Sequence, residues 1–453
     1  MRRHVLSFIF LPILLLSMFH HRAVAKTDKL TLDGAVREAL SNNFLIKKAW
    51  KELESAKEED RVALSDFFPS FSLSYSFTRL KDEPYAVFQN PLAPGGGAKV
   101  PVGDRNNFSW TLQVKQPVFT GFALLNRKRL AALGVNIKEV ERKRVILDVT
   151  RDVKIAYFRI LLLKRYVAVA REEVEQLSAH LRDAESFYRQ GMIPLNDLLK
   201  SKVALAAAKQ KLVSYANDYC VAVSHLNVLL TRPITSDTEV EDVTPHRICT
   251  FPLKKLLKKA VSMRPELQAL RMAVKQVELQ AKLARSDYFP KIYAIGGYTQ
   301  QGEDVLAKDN DYSNTHNASV GFQAEWTFFE WGKTRAKVLA ALYKKQAIEQ
   351  ELANTEEQIK LQVRQALAAL ETARENVKTA KVSVRQAKEN FRITDLQYKQ
   401  NITTSTEVLD ARTYLSEAEI NYYNALYGYL MAKAELERAV GVSSLSDDVT
   451  NTP

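Results

Sequence analysis

One ordered set of motifs occurs twice in this chain, and that duplication constrains the fold more than any other feature. Ser65-Asp66-Phe67-Phe68-Pro69 returns as Ser286-Asp287-Tyr288-Phe289-Pro290, 221 positions later. The stretch Phe119 to Phe122 returns at Phe329 to Gly332, 210 positions later. Phe187-Tyr188-Arg189-Gln190-Gly191 returns as Gln397-Tyr398-Lys399-Gln400-Asn401, again 210 later. The drop from 221 to 210 places 11 extra residues in one loop of the first half, between residues 80 and 106. The halves join across Thr231 to Phe251, a stretch with Pro233 and Pro245, followed by Pro252. A duplicated chain folds as two versions of one unit.

Within each half the first part reads as helix. Leu30-Thr31-Leu32-Asp33 opens a short helix with Thr31 or Asp33 as N-cap, and a second helix runs from about Leu45 to Ser65. Their counterparts are Leu256 to Met263 and Pro265 to Arg285, the latter with Pro at its first position. Strands follow. Phe71-Ser72-Leu73-Ser74-Tyr75-Ser76-Phe77-Thr78 alternates apolar and polar, as does Phe108-Ser109-Trp110-Thr111-Leu112-Gln113-Val114-Lys115. Period-two alternation puts the apolar side chains on one face. The second half repeats this with Ile292, Ala294 and Tyr298, then Val320, Phe322, Ala324 and Trp326. These segments have about the ~9–11 residues that a tilted strand needs to cross a bilayer. Ser, Thr, Gln and Lys on one face suit a watery lumen, and aromatics on the other suit lipid. Four strands cannot close such a barrel, because the smallest have about 8. Several chains must share one barrel.

The third part is a long coiled coil. From Ile146 the apolar positions Val149, Val153, Ala156, Ile160, Leu163, Val167, Ala170, Val174, Leu177, Leu181, Ala184 and Tyr188 alternate in threes and fours. Ile359, Val363, Ala366, Leu370, Ala373, Val377, Ala380, Val384, Ala387, Phe391 and Tyr398 repeat the phase. Such spacing gives a left-handed coiled coil. Extended back toward Phe122, it makes a rod of ~100 Å at about 1.5 Å per residue. Each rod ends at a turn, Gly191 or Asn401, residue types that tolerate the left-handed conformation. A helix then returns, from about Leu195 to Leu230 and from about Glu407 to Ala439. Gly and Pro together number 29, about half the usual share, which fits long unbroken elements.

The first 25 residues read as a signal peptide: basic Arg2 and Arg3, an apolar run from Val5 to Phe19, and the cleavage site Ala23-Val24-Ala25. No Cys follows the site, so lipidation is not expected. No later apolar run reaches the ~18 residues of a membrane helix. Net charge is +13, and removal of Arg2, Arg3 and Arg22 leaves +10, spread over solvated helix faces. Export argues against nucleic acid as a partner. Cys220 and Cys249 either pair in an oxidising compartment or remain apart. His246 and Cys249 lie three apart, too few groups for a zinc site. No phosphate loop or nucleophile elbow is found, and neither cofactor nor metal is expected.

From Leu30 to Val442 the chain resembles the TolC-like outer membrane efflux protein family. The carrying segments are Leu30-Thr31-Leu32-Asp33-Gly34-Ala35, the Phe-Pro before each first strand, Gln116-Pro117-Val118-Phe119, Tyr188 to Gly191, and Val408-Leu409-Asp410-Ala411. The resemblance implies a mainly α fold with a small β part, built from duplicated long α-hairpins and two β-hairpins per chain. It implies a homotrimer with one 12-stranded β-barrel in the outer membrane and a hollow periplasmic α-barrel. Helix turns would dock a periplasmic adaptor protein that links the channel to an inner-membrane pump, at Gly191, Pro194, Asn401 and Thr403. An aperture near those turns would be closed by carboxylate rings at Glu407 and Asp410, and by a latch from Tyr398 to Asp197. Glu407 and Asp410 are three apart and share a helix face. Taken alone, they read more readily as first-turn acids stabilised by the helix dipole than as a gate; the matched register favours a cation-selective gate. Thr403 stands where the family's latch arginine would, which removes a charge-assisted bond.

The expected organisation is therefore a signal peptide at 1–25, a first repeat at 26–231, a linker at 232–251, a second repeat at 252–442 and a flexible tail at 443–453. The expected function is the passive outer membrane channel of a tripartite efflux or type I secretion system. A periplasmic coiled-coil adaptor or scaffold is the rival. One hairpin flanked by soluble β domains would suit an adaptor; two hairpins with four lipid-facing strands do not.

Overall fold

Two 67-residue helices set the dimensions of the molecule, each ~100 Å long at about 1.5 Å per residue. The computed structural model describes residues 29–89, 97–243 and 251–445. The expected signal peptide lies outside the described residues, as do Cys249 and residues 446–453.

The first repeat begins with α1 (Leu32–Asn42) and α2 (Phe44–Ser65). Thr31 caps α1 by accepting from the Gly34 amide at 3.0 Å, and Asn43 caps α2 by accepting from Leu45 at 2.9 Å. Then come β1 (Ser70–Arg79), β2 (Tyr85–Gln89), β3 (Gly97–Pro101), β4 (Asn106–Phe119), α3 (Ala123–Arg189) and α4 (Leu195–Leu230). The second repeat runs α5 (Leu253–Met263), α6 (Pro265–Arg285), β5 (Lys291–Gly302), β6 (His316–Glu325), α7 (Lys333–Lys399) and α8 (Ser405–Val440). The longer loop of the first repeat is thus partly folded, since β2 and β3 pair as an antiparallel hairpin.

One antiparallel sheet joins the repeats in the order β1-β4-β5-β6. Its register unites the alternating faces: Phe71, Leu73, Tyr75 and Phe77 stand opposite Val114, Leu112, Trp110 and Phe108. Tyr298 stands opposite Leu112, and Val320 opposite Gly296. Phe77 stacks on Phe108 at 4.4 Å, and Trp110 lies 5.4 Å from Tyr298. This apolar face is bare, with Val320 92% and Phe322 79% exposed. The other face carries polar pairs such as Thr111 and Thr299, whose hydroxyls lie 3.1 Å apart. The outer edges of β1 and β6 have no strand partner among the described residues.

The core sits in the helices, where α3 and α4 pair, α7 and α8 pair, and α3 packs on α8. Tyr157 of α3 is the fixed point: its hydroxyl lies 2.8 Å from the Leu30 carbonyl and 2.7 Å from that of Glu241. The stretch after α4 is held down rather than loose. Arg232 pairs with Glu38 at 2.6 Å, and Val240 forms a parallel bridge with Leu30. Beyond α8, buried Leu445 donates its amide to Glu437 at 3.1 Å, so residues 443–445 are anchored to the helix end.

Candidate functional site

Both hairpin tips close with the same backbone device. Gly191 has φ 72° and Asn401 φ 61°. The Met192 amide donates to the Phe187 carbonyl at 2.9 Å, and the Ile402 amide to the Gln397 carbonyl at 2.9 Å. This six-to-one bond, with a left-handed residue inside it, ends a helix without leaving carbonyls unsatisfied. The return helices start differently. Pro194 precedes α4 and offers no side-chain cap, whereas Thr404 caps α8 by accepting from the Glu407 amide at 3.5 Å.

The predicted residues divide between two environments. Glu407 and Asp410 are exposed on one side of the start of α8, while Val408 and Ala411 point into the core. Neither carboxylate has a hydrogen-bond or ion-pair partner among the described residues. Thr403 is half-buried in the turn before them. Tyr398 is 2% exposed, its ring 4.7 Å from His180 and 5.6 Å from Phe187. Asp197 sits in the first turn of α4, 3.9 Å from Lys200. Asp197 and Tyr398 lie on either side of one cluster, with Ser201 and Ser405 between them and no direct hydrogen bond joining them among the described residues.

That cluster runs through residues the sequence reading passed over. His180 Nε2 lies 2.7 Å from Ser405 Oγ, and Ser405 Oγ lies 3.0 Å from Ser201 Oγ. Ser201 donates to the Asp197 carbonyl at 3.0 Å. A hydroxyl has one proton. Ser201 uses its proton on the carbonyl, so Ser405 must donate to Ser201. Ser405 must then accept from His180, which carries its proton on Nε2. Nδ1 is left bare and buried, and neither it nor the buried Tyr398 hydroxyl near Ser405 has a partner that meets hydrogen-bond geometry among the described residues. Burial pulls the His180 pKa down, opposed by Asp183 and Asp395 and assisted by Lys399. Burial pushes the Tyr398 pKa up, the neighbouring Ser405 hydroxyl opposes the shift, and Asp183 and Asp197 add to it. The relay thus ties α3, α4 and α8 together against α7 at the level where Glu407 and Asp410 emerge.

Farther from the tip, α8 buries Arg412 to 1% exposure, its guanidinium 5.7 Å from the Phe391 ring. None of its nitrogens is hydrogen-bonded among the described residues, and burial lowers its pKa. Glu419 lies one face-repeat away on the same helix, and burial raises its pKa. One signal could have exposed His180 and Arg412. Each polar residue falls on a core stripe: His180 three after Leu177 and four before Ala184, Arg412 four after Val408.

A family model described as "Outer membrane efflux protein" matches residues 35–232 and 256–442, one segment per repeat. The outer membrane protein TolC of Salmonella enteritidis is 20% identical over 450 residues, spanning 96% of this chain and 87% of that protein. TolC of Escherichia coli K12 is 20% identical over 451 residues, with the same coverage. Among solved structures, the Campylobacter jejuni CmeC outer membrane channel superposes with TM-score 0.77 at 18% identity, covering 90% of this chain and 85% of that one. The open state of the Neisseria gonorrhoeae MtrE outer membrane channel gives TM-score 0.70 at 19% identity, covering 91% and 89%.

Proposed function

Because the chain belongs to the outer membrane efflux protein family, we propose that three copies close one 12-stranded barrel, and that their helices form a single gated duct. The protein is an outer membrane channel of efflux systems with a long periplasmic part. The carrying observation is the four-stranded sheet. Both its edges are open, its exposed face is apolar and its other face is polar. Unpaired strand edges cannot stand in hydrocarbon, where each unsatisfied backbone group costs several kcal/mol. Pairing β6 of one copy with β1 of the next removes every edge.

The helices support the same assembly. Leu199, Val203, Val213, Val221 and Val228 on α4 are exposed, as are Leu361, Val382, Ile393 and Leu396 on α7. These are the two outer helices of the chain, and in a ring they would cover one another. Glu407 and Asp410 then form two carboxylate rings at the mouth, with Asp197 and Tyr398 supporting the start of α8 from behind. The turns at Gly191, Pro194, Asn401 and Thr403 dock a periplasmic adaptor, which couples the duct to an inner-membrane pump. The adaptor reading of this chain itself is not favoured, because an adaptor has no use for a lipid-facing sheet.

Single-channel conductance in a planar bilayer tests the gate. The wild-type channel is expected to be narrow and cation-selective. Glu407→Ala combined with Asp410→Ala should raise conductance and abolish selectivity. A channel indifferent to both changes would move the constriction elsewhere.

A further inference from the structure

Each long helix is entered through two consecutive left-handed residues, and in each pair one residue is an aromatic. Gly121 (φ 60°) precedes Phe122 (φ 67°), and Trp331 (φ 50°) precedes Gly332 (φ 80°). Gly121 is needed sterically, since a Cβ there would lie 2.6 Å from the Ser286 carbonyl oxygen. The aromatics have no such excuse. A side chain in this conformation costs about 1–2 kcal/mol, and strain of that kind collects at binding sites. Both rings are exposed, Trp331 at 91%.

Phe122 stands edge-on to Phe119 at 5.7 Å and to Phe289 at 6.0 Å. The side on which this cluster lies follows from the sheet register. A shift between Pro117 and Phe119 brings Phe119 opposite Ile292, on the apolar face that also carries Ala294 and Tyr298. The cluster therefore continues the bare apolar surface at the foot of the sheet. At the junction in the second repeat stand Trp326, Phe328, Phe329 and Trp331, all exposed. Aromatics at a strand's end mark the boundary between hydrocarbon and water.

Just beyond Phe122 and Phe289 lies a cleft of about 380 Å³ between the start of α3 and the end of α6, edged by Leu125, Arg129, Lys282 and Arg285. Lys282 reaches Glu278 at 3.4 Å. Arg129 and Arg285 have no hydrogen bond or ion pair among the described residues. The first turn of α3 holds no acid. Two unpaired guanidinium groups edge a cleft whose floor is aromatic and opens onto the apolar sheet face. That combination suits an anion carrying hydrocarbon.

We propose that this cleft binds the phosphodiester of a glycerophospholipid in the periplasmic leaflet, held by Arg129 and Arg285, with its acyl chains on Phe119, Phe122 and Phe289. The proposal rests on the reading that the apolar sheet face meets lipid. Guanidinium forks match phosphate oxygens in bidentate geometry. Inorganic phosphate would use the arginines and ignore the aromatics, so the two sources of phosphate are separable. The site also accounts for Phe122, which occupies the position that glycine holds in the second repeat.

The test is native mass spectrometry of the intact assembly in mild detergent, titrated with phosphatidylglycerol. Wild-type protein should retain one tightly held lipid per chain. Arg129→Gln with Arg285→Gln should weaken that retention by about ten-fold or more, the scale of a lost charge-assisted contact. Phe122→Gly relieves the backbone, so it should fold normally and still hold the lipid less well. Inorganic phosphate at equal concentration should not displace it. Equal retention by wild type and the arginine variant would overturn the site, as would complete displacement by inorganic phosphate. Failure of the wild-type protein to enter phosphatidylglycerol vesicles would instead overturn the membrane reading beneath it.

Discussion

The two repeats trace nearly the same path and are used differently. Helices α3 and α7 are both 67 residues, and α4 and α8 are both 36. Their seam positions match, with Ile160 and Leu370 both buried, as are Val153 and Val363. The next face does not match. Phe158, Leu161 and Leu162 are buried, whereas their counterparts Ala368, Glu371 and Thr372 are exposed. Helix α3 packs against α2, α4, α6 and α8, whereas α7 packs against α5, α6 and α8 and has no counterpart of the α3–α8 contact on its far side among the described residues. The two repeats keep one backbone plan, but their residues put α3 and α8 at the centre of the chain and leave α4 and α7 at its borders.

The largest test of this contrast uses matched positions. Leu161→Ala should destabilise the folded protein by about 2–5 kcal/mol through the cavity it leaves. Glu371→Ala, at the equivalent site, should stay within about 0.5 kcal/mol. Denaturant unfolding of both variants measures the difference, and similar losses would mean that α7 is as central as α3.

A second contrast concerns pH. His180 belongs to the first repeat and reaches Ser405 of the second, while its own counterpart Asn390 is exposed. An ordinary histidine titrates near 6.5, and burial holds His180 below that value. Its neutral form supports the packed tip fully above about pH 6.5, and that support is lost as pH falls from there through the lowered pKa. The charges that reach the ring are Asp183 on α3 and Asp395 and Lys399 on α7, while α4 and α8 present Ser201 and Ser405. Conductance should therefore rise on mild acidification. His180→Gln, whose amide can still donate to Ser405, should flatten that rise, and Asn390→His should leave it unchanged. An identical pH profile in His180→Gln would remove the relay from the gate.

The smallest contrast lies at the tips. A Cβ on Gly191 would meet nothing within 4 Å, so Gly191→Ala carries only the left-handed penalty, about 1 kcal/mol. Asn401→Gly should gain no more than about 0.5 kcal/mol, because Asn already tolerates the conformation. Thermal unfolding of the two variants separates them by sign.

Much of this was legible in the residues. The alternation at Phe71 to Thr78 dictated a two-faced strand, the three-four spacing from Ile146 dictated a coil, and Gly191 and Asn401 dictated where the coils turn. These are local signals, carried by period and by backbone preference. The candidate site was legible only in part. Glu407 and Asp410 could be placed on one face, and Tyr398 could be placed near a tip. His180 and Ser405 are 225 residues apart, and no spacing rule joins them. Arg412 lies on the core stripe between Val408 and Leu415, a position where its type alone gives no sign that the charge is buried.

The sequence by itself determined the duplicated plan, the long helices and the four sheet strands, and the faces that must avoid water, but not the β2–β3 hairpin. Tertiary structure decided which helices became central, which hydroxyls met at the tip, and that a one-residue shift at Val118 turned Phe119 outward beside Phe122 and Phe289. The physical reason is range. Periodicity and turn preference act within a few residues, whereas burial, ion pairing and register depend on segments that folding alone brings together.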